Sequence, residues 1–112
     1  MAKLFFVGLD GTEKSYRLQT HRPFTVGRDP GNDIILRDPK VSRHHAEITL
    51  RGDKFLLVDR STNGTFVYTD AGDSFRVIRE ELALGGSGRI LPGGKALEPI
   101  RYRLGRYRIG RR

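Results

Sequence analysis

Short apolar runs broken by turn residues recur along the chain, and nowhere do apolar positions fall three and four apart for as long as a helical stripe requires. Period-two alternation, with β-branched and aromatic residues concentrated in the runs, predicts strands over 3–7, 15–19, 23–26, 34–36, 45–50, 55–59, 65–68, 75–79, 88–91 and 100–104. The last is the clearest: Ile100, Tyr102 and Leu104 fall on one face and Arg101 and Arg103 on the other, and Arg106 and Arg108 continue the polar row past Gly105. Turn chemistry punctuates the runs at Gly11, Pro30-Gly31, Gly52-Asp53, Asn63-Gly64, Ala71-Gly72, Gly85-Gly86 and Gly93-Gly94, and two longer polar loops occupy 27–33 and 37–43. This is the pattern of an all-β, antiparallel sandwich or barrel.

A chain of 112 residues carries one ordinary hydrophobic core, so 1–112 is expected to form a single domain. Hydrophobic residues make up 37% and charged residues 30%, enough to fill that core and keep the surface wet, which excludes a disordered chain. The absence of cysteine removes disulfides, thiolate metal sites and cysteine nucleophiles together, and a reducing, cytoplasmic location is the expectation. No apolar run nears the roughly 18 residues of a membrane span. Lys3 is the one charge before Asp10 and no small-residue cleavage site follows it, so the start of the chain reads as a first strand rather than a secretory signal.

The formal net charge of +8 suggests a nucleic-acid partner until it is divided along the chain. Residues 1–88 hold 13 basic and 12 acidic side chains, whereas residues 89–112 hold eight basic ones against Glu98 alone. The basicity belongs to the C-terminal segment, and the inward phase of Tyr102 and Tyr107 there leaves no aromatic platform for bases. An exposed edge strand protected by arginines against pairing with other chains is the simpler expectation, and nucleic acid is not the expected partner.

Catalysis finds no constellation. His44 and His45 are adjacent, so in a strand they face opposite ways and cannot chelate one metal, and His21 has no partner at ligand spacing. Glu80-Glu81 reads as a solvated strand end rather than an acid and base pair. Gly86-Ser87-Gly88 is too short for a dinucleotide loop, and Gly93-Gly94-Lys95 is followed by Ala96 where a phosphate-binding P-loop needs a hydroxyl. No enzyme, metal or cofactor is expected.

Three short pieces remain: Gly27-Arg28 at a strand end, Ser42-Arg43-His44-His45 leaving the second loop, and Asn63-Gly64 between two predicted strands. Each has a bland explanation, namely an exposed turn arginine, a turn serine with a core histidine, and a type I′ hairpin. Together they place guanidiniums, hydroxyls and an amide on loops that an antiparallel sandwich gathers at one end. A phosphate dianion requires such a set, because each group gives a charge-assisted bond to a different oxygen.

On these residues the chain resembles a forkhead-associated (FHA) domain. The resemblance covers 24–67: Phe24-Thr25-Val26-Gly27-Arg28, then Asn32-Asp33-Ile34, then Val41-Ser42-Arg43-His44-His45-Ala46, then Ser61-Thr62-Asn63-Gly64-Thr65-Phe66-Val67, in the family's order and spacing. It implies a two-sheet antiparallel β-sandwich, FHA/SMAD-like, of about eleven strands that recognises phosphothreonine in an extended peptide without metal or cofactor. It also implies that Arg28 and Ser42 bind the phosphate, that Arg43 and Thr62 assist, and that Asn63 bonds the ligand backbone. Gly27, His45 and Gly64 would support those loops, Lys40 would read a residue beyond the phosphothreonine, and His44 would be exposed. The implied partner is a phosphothreonine protein, and so a Ser/Thr kinase. After Val67 the match loosens: 68–73 makes a longer connection than the family's short asparagine-glycine hairpin, and 88–93 is only a rough counterpart of a later glycine-rich element. The stretch 75–90 also looks like FHA segments of bacterial nucleotide cyclases, so a regulatory or structural module of a larger signalling protein is the alternative. Weak nucleic-acid binding through the arginine-rich segment is the other.

Overall fold

The computed structural model describes residues 2–7, 13–18, 22–94 and 99–104. Their strands are β1 (Ala2–Val7), β2 (Glu13–Arg17), β3 (Phe24–Gly27), β4 (Ile34–Ile35), β5 (Ala46–Arg51), β6 (Lys54–Asp59), β7 (Thr65–Thr69), β8 (Ser74–Val77), β9 (Glu81–Leu84), β10 (Gly86–Pro92) and β11 (Ile100–Leu104). One sheet has the order β2-β1-β11-β10-β7-β8 and the other β4-β3-β5-β6-β9. Every pairing is antiparallel except β3 with β4.

The alternation written in the sequence puts one face of each sheet into a shared core. Val26, Ile48, Phe55 and Leu57 enter from the smaller sheet and Val67, Val77, Ile90, Ile100 and Tyr102 from the larger. Removing each such side chain from water stabilises the sandwich by about 1.5–3 kcal/mol.

Four readings of the sequence change. β9 falls where the Glu80-Glu81 pair reads as a strand end. Leu82 and Leu84 face the core there, while Glu81 on the outside bonds Arg51 at 3.1 Å. The run over 75–79 stops early because Arg79 takes a left-handed backbone with φ of 50°, which turns the chain from β8 into β9. Asn63-Gly64 is not a hairpin turn: β6 and β7 belong to different sheets, and 60–64 crosses between the layers. β11 is not an edge strand either, since β1 and β10 pair with it on both sides. The predicted positions Gly11, His21, Arg106, Tyr107 and Arg108 lie outside the described residues.

Two buried polar side chains hold the crossover. Phe55 and Leu57 point inward along β6, and the same phase carries Asp59 into the interior, where it is 2% exposed. Its carboxylate accepts from the Ser61 N–H (3.0 Å), the Ser61 hydroxyl (2.9 Å), the Thr65 hydroxyl (2.6 Å) and the Arg79 N–H (2.9 Å). A charge buried in this way is tolerated because four donors replace its water. His45, with no exposed surface, lies 3.8 Å from the same carboxylate. Its Nδ1 accepts from the Ser42 N–H (2.9 Å) and its Nε2 lies 2.8 Å from the Gly64 carbonyl oxygen. An amide only donates and a carbonyl only accepts, so the ring is neutral with its proton on Nε2.

Asp59→Ala strands four buried donors and is expected to lower the unfolding free energy by about 3–5 kcal/mol, read by chemical denaturation. Burial holds the His45 pKa below its ordinary value, against the opposing pull of the Gly64 carbonyl and the Asp59 charge. The unfolded chain therefore takes up this proton at a higher pH than the folded one. The stability that His45 contributes is complete above about pH 6.5 and declines as pH falls through that value. Melting temperatures measured between about pH 7.5 and 5.5 should fall in the native protein and fall less in His45→Asn.

Candidate functional site

The loops that follow β3 and precede β5 are laced together by their backbones. Arg28 N–H donates to the Ser42 carbonyl (3.0 Å) and Asp29 N–H to the Arg43 carbonyl (3.1 Å). The Asn32 side-chain amide reinforces the seam, donating to the Arg43 carbonyl (2.8 Å) and the Asp29 carbonyl (2.9 Å). Gly27 makes that approach possible: a Cβ there would overlap the Arg43 carbonyl and stand 2.8 Å from Asn32 Nδ2.

Within this frame the Arg28 guanidinium is oriented by one bond, Nε to the Val41 carbonyl at 2.5 Å. Its two terminal nitrogens have no partner among the described residues, and the side chain is exposed. The Ser42 hydroxyl oxygen accepts from the Thr62 N–H at 3.1 Å, which leaves its own proton to be donated outward. Ser42 is thus fixed at three atoms: its N–H by His45, its carbonyl by Arg28 and its hydroxyl by Thr62.

The crossover loop completes the set. Asn63 Nδ2 donates to the Lys40 carbonyl at 2.9 Å, keeping its side-chain oxygen and one N–H available. Gly64, at φ of 87°, donates its N–H to the Ser61 hydroxyl oxygen (2.7 Å), and its carbonyl accepts from the Gly93 N–H (2.9 Å) just after β10. Arg43, His44, Lys40, Thr62 and Asn63 are exposed. The acids of these loops face their own backbones: Asp29 accepts from Gly31 N–H (3.0 Å) and Asp38 from Lys40 N–H (2.8 Å). The structure therefore brings Arg28, Lys40, Ser42, Arg43, Thr62 and Asn63 to one end of the sandwich, on loops tied to Gly27, His45 and Gly64. Among the described residues, no group of three or more His, Cys, Asp or Glu is placed to hold a metal.

Five contributors went without a role in the sequence. Asn32 and Asp33 lie in a quoted motif, and Asp33 accepts from Thr25 N–H (2.8 Å) and pairs with Arg22, pinning β3 to β4. Asp59 and Ser61 build the buried anchor of the crossover. Arg79 had no signal, because its part depends on a left-handed backbone: its N–H reaches Asp59 and its Nη1 the Ser61 carbonyl at 3.0 Å.

This end of the molecule has known counterparts. The chain is 44% identical over 66 residues to the glycogen accumulation regulator GarA of Mycolicibacterium smegmatis, matching 57% of this chain but 42% of that protein. The chain thus spans less than half the length of that curated relative. Its fold superposes on the FhaA FHA domain, solved in complex with the intracellular domain of Rv3910, with a TM-score of 0.68 at 31% identity, covering 92% of this chain and all of that one. The N-terminal FHA domain of Rad53p from S. cerevisiae, solved with a phosphothreonine peptide, shares the fold with a TM-score of 0.71 at 21% identity, covering 93% of each chain. The FHA domain model matches residues 24–84, more than half of the sequence and the whole of the laced loops, and the chain belongs to the FHA domain family.

Proposed function

We propose that this protein is a phosphopeptide-binding module in which Arg28 and Ser42 hold the phosphate of a phosphothreonine, Arg43 and Thr62 assist, and Asn63 bonds the ligand main chain. The observation that carries this assignment is the division of labour within Arg28: Nε is engaged by the carbonyl of Val41, the residue before Ser42, while both terminal nitrogens have no partner among the described residues and the Ser42 hydroxyl keeps a proton to donate. A phosphothreonine brings about −1.5 to −2 charges and three acceptor oxygens where threonine brings one hydroxyl, so this fork separates the two states. Lys40 faces the next position of the ligand and favours an acidic side chain there.

The partner is a protein phosphorylated on threonine, which places the module downstream of a Ser/Thr kinase. Among the described residues no helix is long and apolar enough to cross a membrane. A cytoplasmic location accords with kinase signalling and with the absence of cysteine. Because the loops are held by bonds already made in the free protein, binding needs no rearrangement of the module, and most of the ordering falls on the peptide.

Calorimetry with an oriented phosphothreonine peptide library and its unphosphorylated counterpart tests the assignment, and equal binding of both would reject it. Arg28→Ala should weaken phosphopeptide binding by about 2–5 kcal/mol while the melting temperature stays close to native. Arg28→Lys should restore little of it, because an ammonium cannot bond Val41 and the phosphate from one planar fork. Arg79→Gly tests the brace behind the site. Glycine keeps the left-handed backbone and the N–H to Asp59 but drops the bond to Ser61, so affinity should fall by about 0.5–1.5 kcal/mol through a faster off-rate.

A further inference from the structure

β11 lies inside the larger sheet, and the register sets like charges against one another across it. Arg101 stands opposite Arg89, and Arg103 opposite Lys3, which is in turn opposite Arg17. Like charges directly opposite each other weaken antiparallel strands, so this arrangement acts against the fold that carries it. On a paired strand, edge protection does not account for it. Arg89, Arg101 and Arg103 are exposed and form no ion pair among the described residues, whereas Arg22, Arg51 and Arg60 each do. Instead the three guanidiniums line a cleft of about 550 Å³ with Ser87, Asp70 and Glu13. Arg89 is held over the Tyr68 ring at 5.6 Å, and Ser87 is held by its bond to Asp70 at 2.6 Å, so part of the lining is fixed in advance. A local rule broken on a central strand, at an open cleft, marks a place selected for a ligand rather than for stability.

We propose that this cleft binds an acidic polypeptide segment carried by the same phosphorylated partner whose phosphothreonine the loops hold, a reading that rests on the assignment of Arg28 and Ser42 above. The chemistry favours polypeptide over nucleic acid in two ways. The Tyr68 and Phe66 rings each already carry a guanidinium, from Arg89 and from Arg76 at 5.9 Å, so they offer no free platform for a base. Glu13 and Asp70 in the lining can accept the N–H groups of a peptide main chain, donors that a phosphodiester backbone does not have.

Reach is sufficient as well. β10 carries Ser87 and Arg89 at the cleft and leads to Gly93, whose N–H bonds Gly64 of the crossover loop. The rise from Arg89 to Gly93 is about 13 Å, and an extended chain covers about 3.3 Å per residue. An acidic run beginning about six residues from the phosphothreonine therefore reaches the cleft, and the first contact raises the local concentration of the second.

The test uses two phosphothreonine peptides that differ only in a distal tail, one of glutamates and one of glutamines, titrated into the native protein and into Arg89→Gln/Arg101→Gln/Arg103→Gln. The glutamate tail should tighten binding to the native protein by about tenfold at low salt, and the advantage should vanish at about 0.5 M salt and in the triple variant. The variant should bind the glutamine-tailed peptide as the native protein does and melt no lower, since repulsion between opposed arginines is relieved. Should it fail to fold, Arg101→Gln alone should remove part of the advantage. Equal affinity for both tails in the native protein, or an advantage that survives in the variants, overturns the cleft assignment while leaving the phosphate site intact. If neither phosphopeptide binds, the loop assignment fails instead, and the glutamate tail without phosphothreonine still reads the cleft: weak binding lost in the variant supports it, and no binding overturns it. A single-stranded DNA oligonucleotide that binds more tightly than a glutamate tail of equal charge would also overturn it.

Discussion

One imidazole holds together the parts of this sandwich that matter for recognition. His45 sits at the start of β5 with one ring nitrogen on the Ser42 N–H and the other on the Gly64 carbonyl, so a single rigid group sets the distance between the loop before β5 and the crossover from β6 to β7. The Ser42 contact is lost if Nδ1 takes up a proton, and the ring is closed off from water. Ser42, Thr62 and Asn63 come from segments about twenty residues apart, and a flexible side chain in place of the ring would let that separation drift.

Around this bridge the polar groups form a hierarchy. Asp59 anchors the crossover from inside, Arg79 braces it from outside, and the seam between Arg28–Asp29 and Ser42–Arg43 carries the third loop. Each bond contributes only about 1 kcal/mol net. Their value lies in leaving few alternative geometries for the loops that carry Arg28 and Ser42. The bond from Gly93 to Gly64 continues the ladder between β10 and β7 into the crossover loop, and through β10 it links the loop end to the arginine cleft.

The basic C-terminal segment shows how far charge alone can mislead. In sequence its arginines read as protection for an exposed edge; in the structure Arg101 and Arg103 stand on a doubly paired strand, at register positions opposite Arg89 and Lys3. Composition gives the sign of the field and none of its geometry. The geometry decides whether a positive surface guards an edge or presents a cleft.

Much of the protein was legible from local pattern. Period two marked the strands with buried alternation, as in Ile100, Tyr102 and Leu104, because burial of every second residue is a property of a strand wherever it lies. The motif positions Gly27, Arg28, Ser42, His45, Asn63 and Gly64 were legible for a different reason: loop geometry that tight restricts the residue type at each position. Other features had no local cause. Whether Asn63-Gly64 closed a hairpin or crossed between layers depended on which sheet took β7, and whether Arg101 stood at an edge depended on β1 returning to pair beside it. The part played by Arg79 likewise arises from Asp59 and Ser61, about twenty residues away in sequence. The sequence by itself determined which residues could form strands and which loops could meet a phosphate. The tertiary structure alone decided which neighbours those strands received, because strand pairing is settled by long-range packing of two sheets rather than by any residue's own preference.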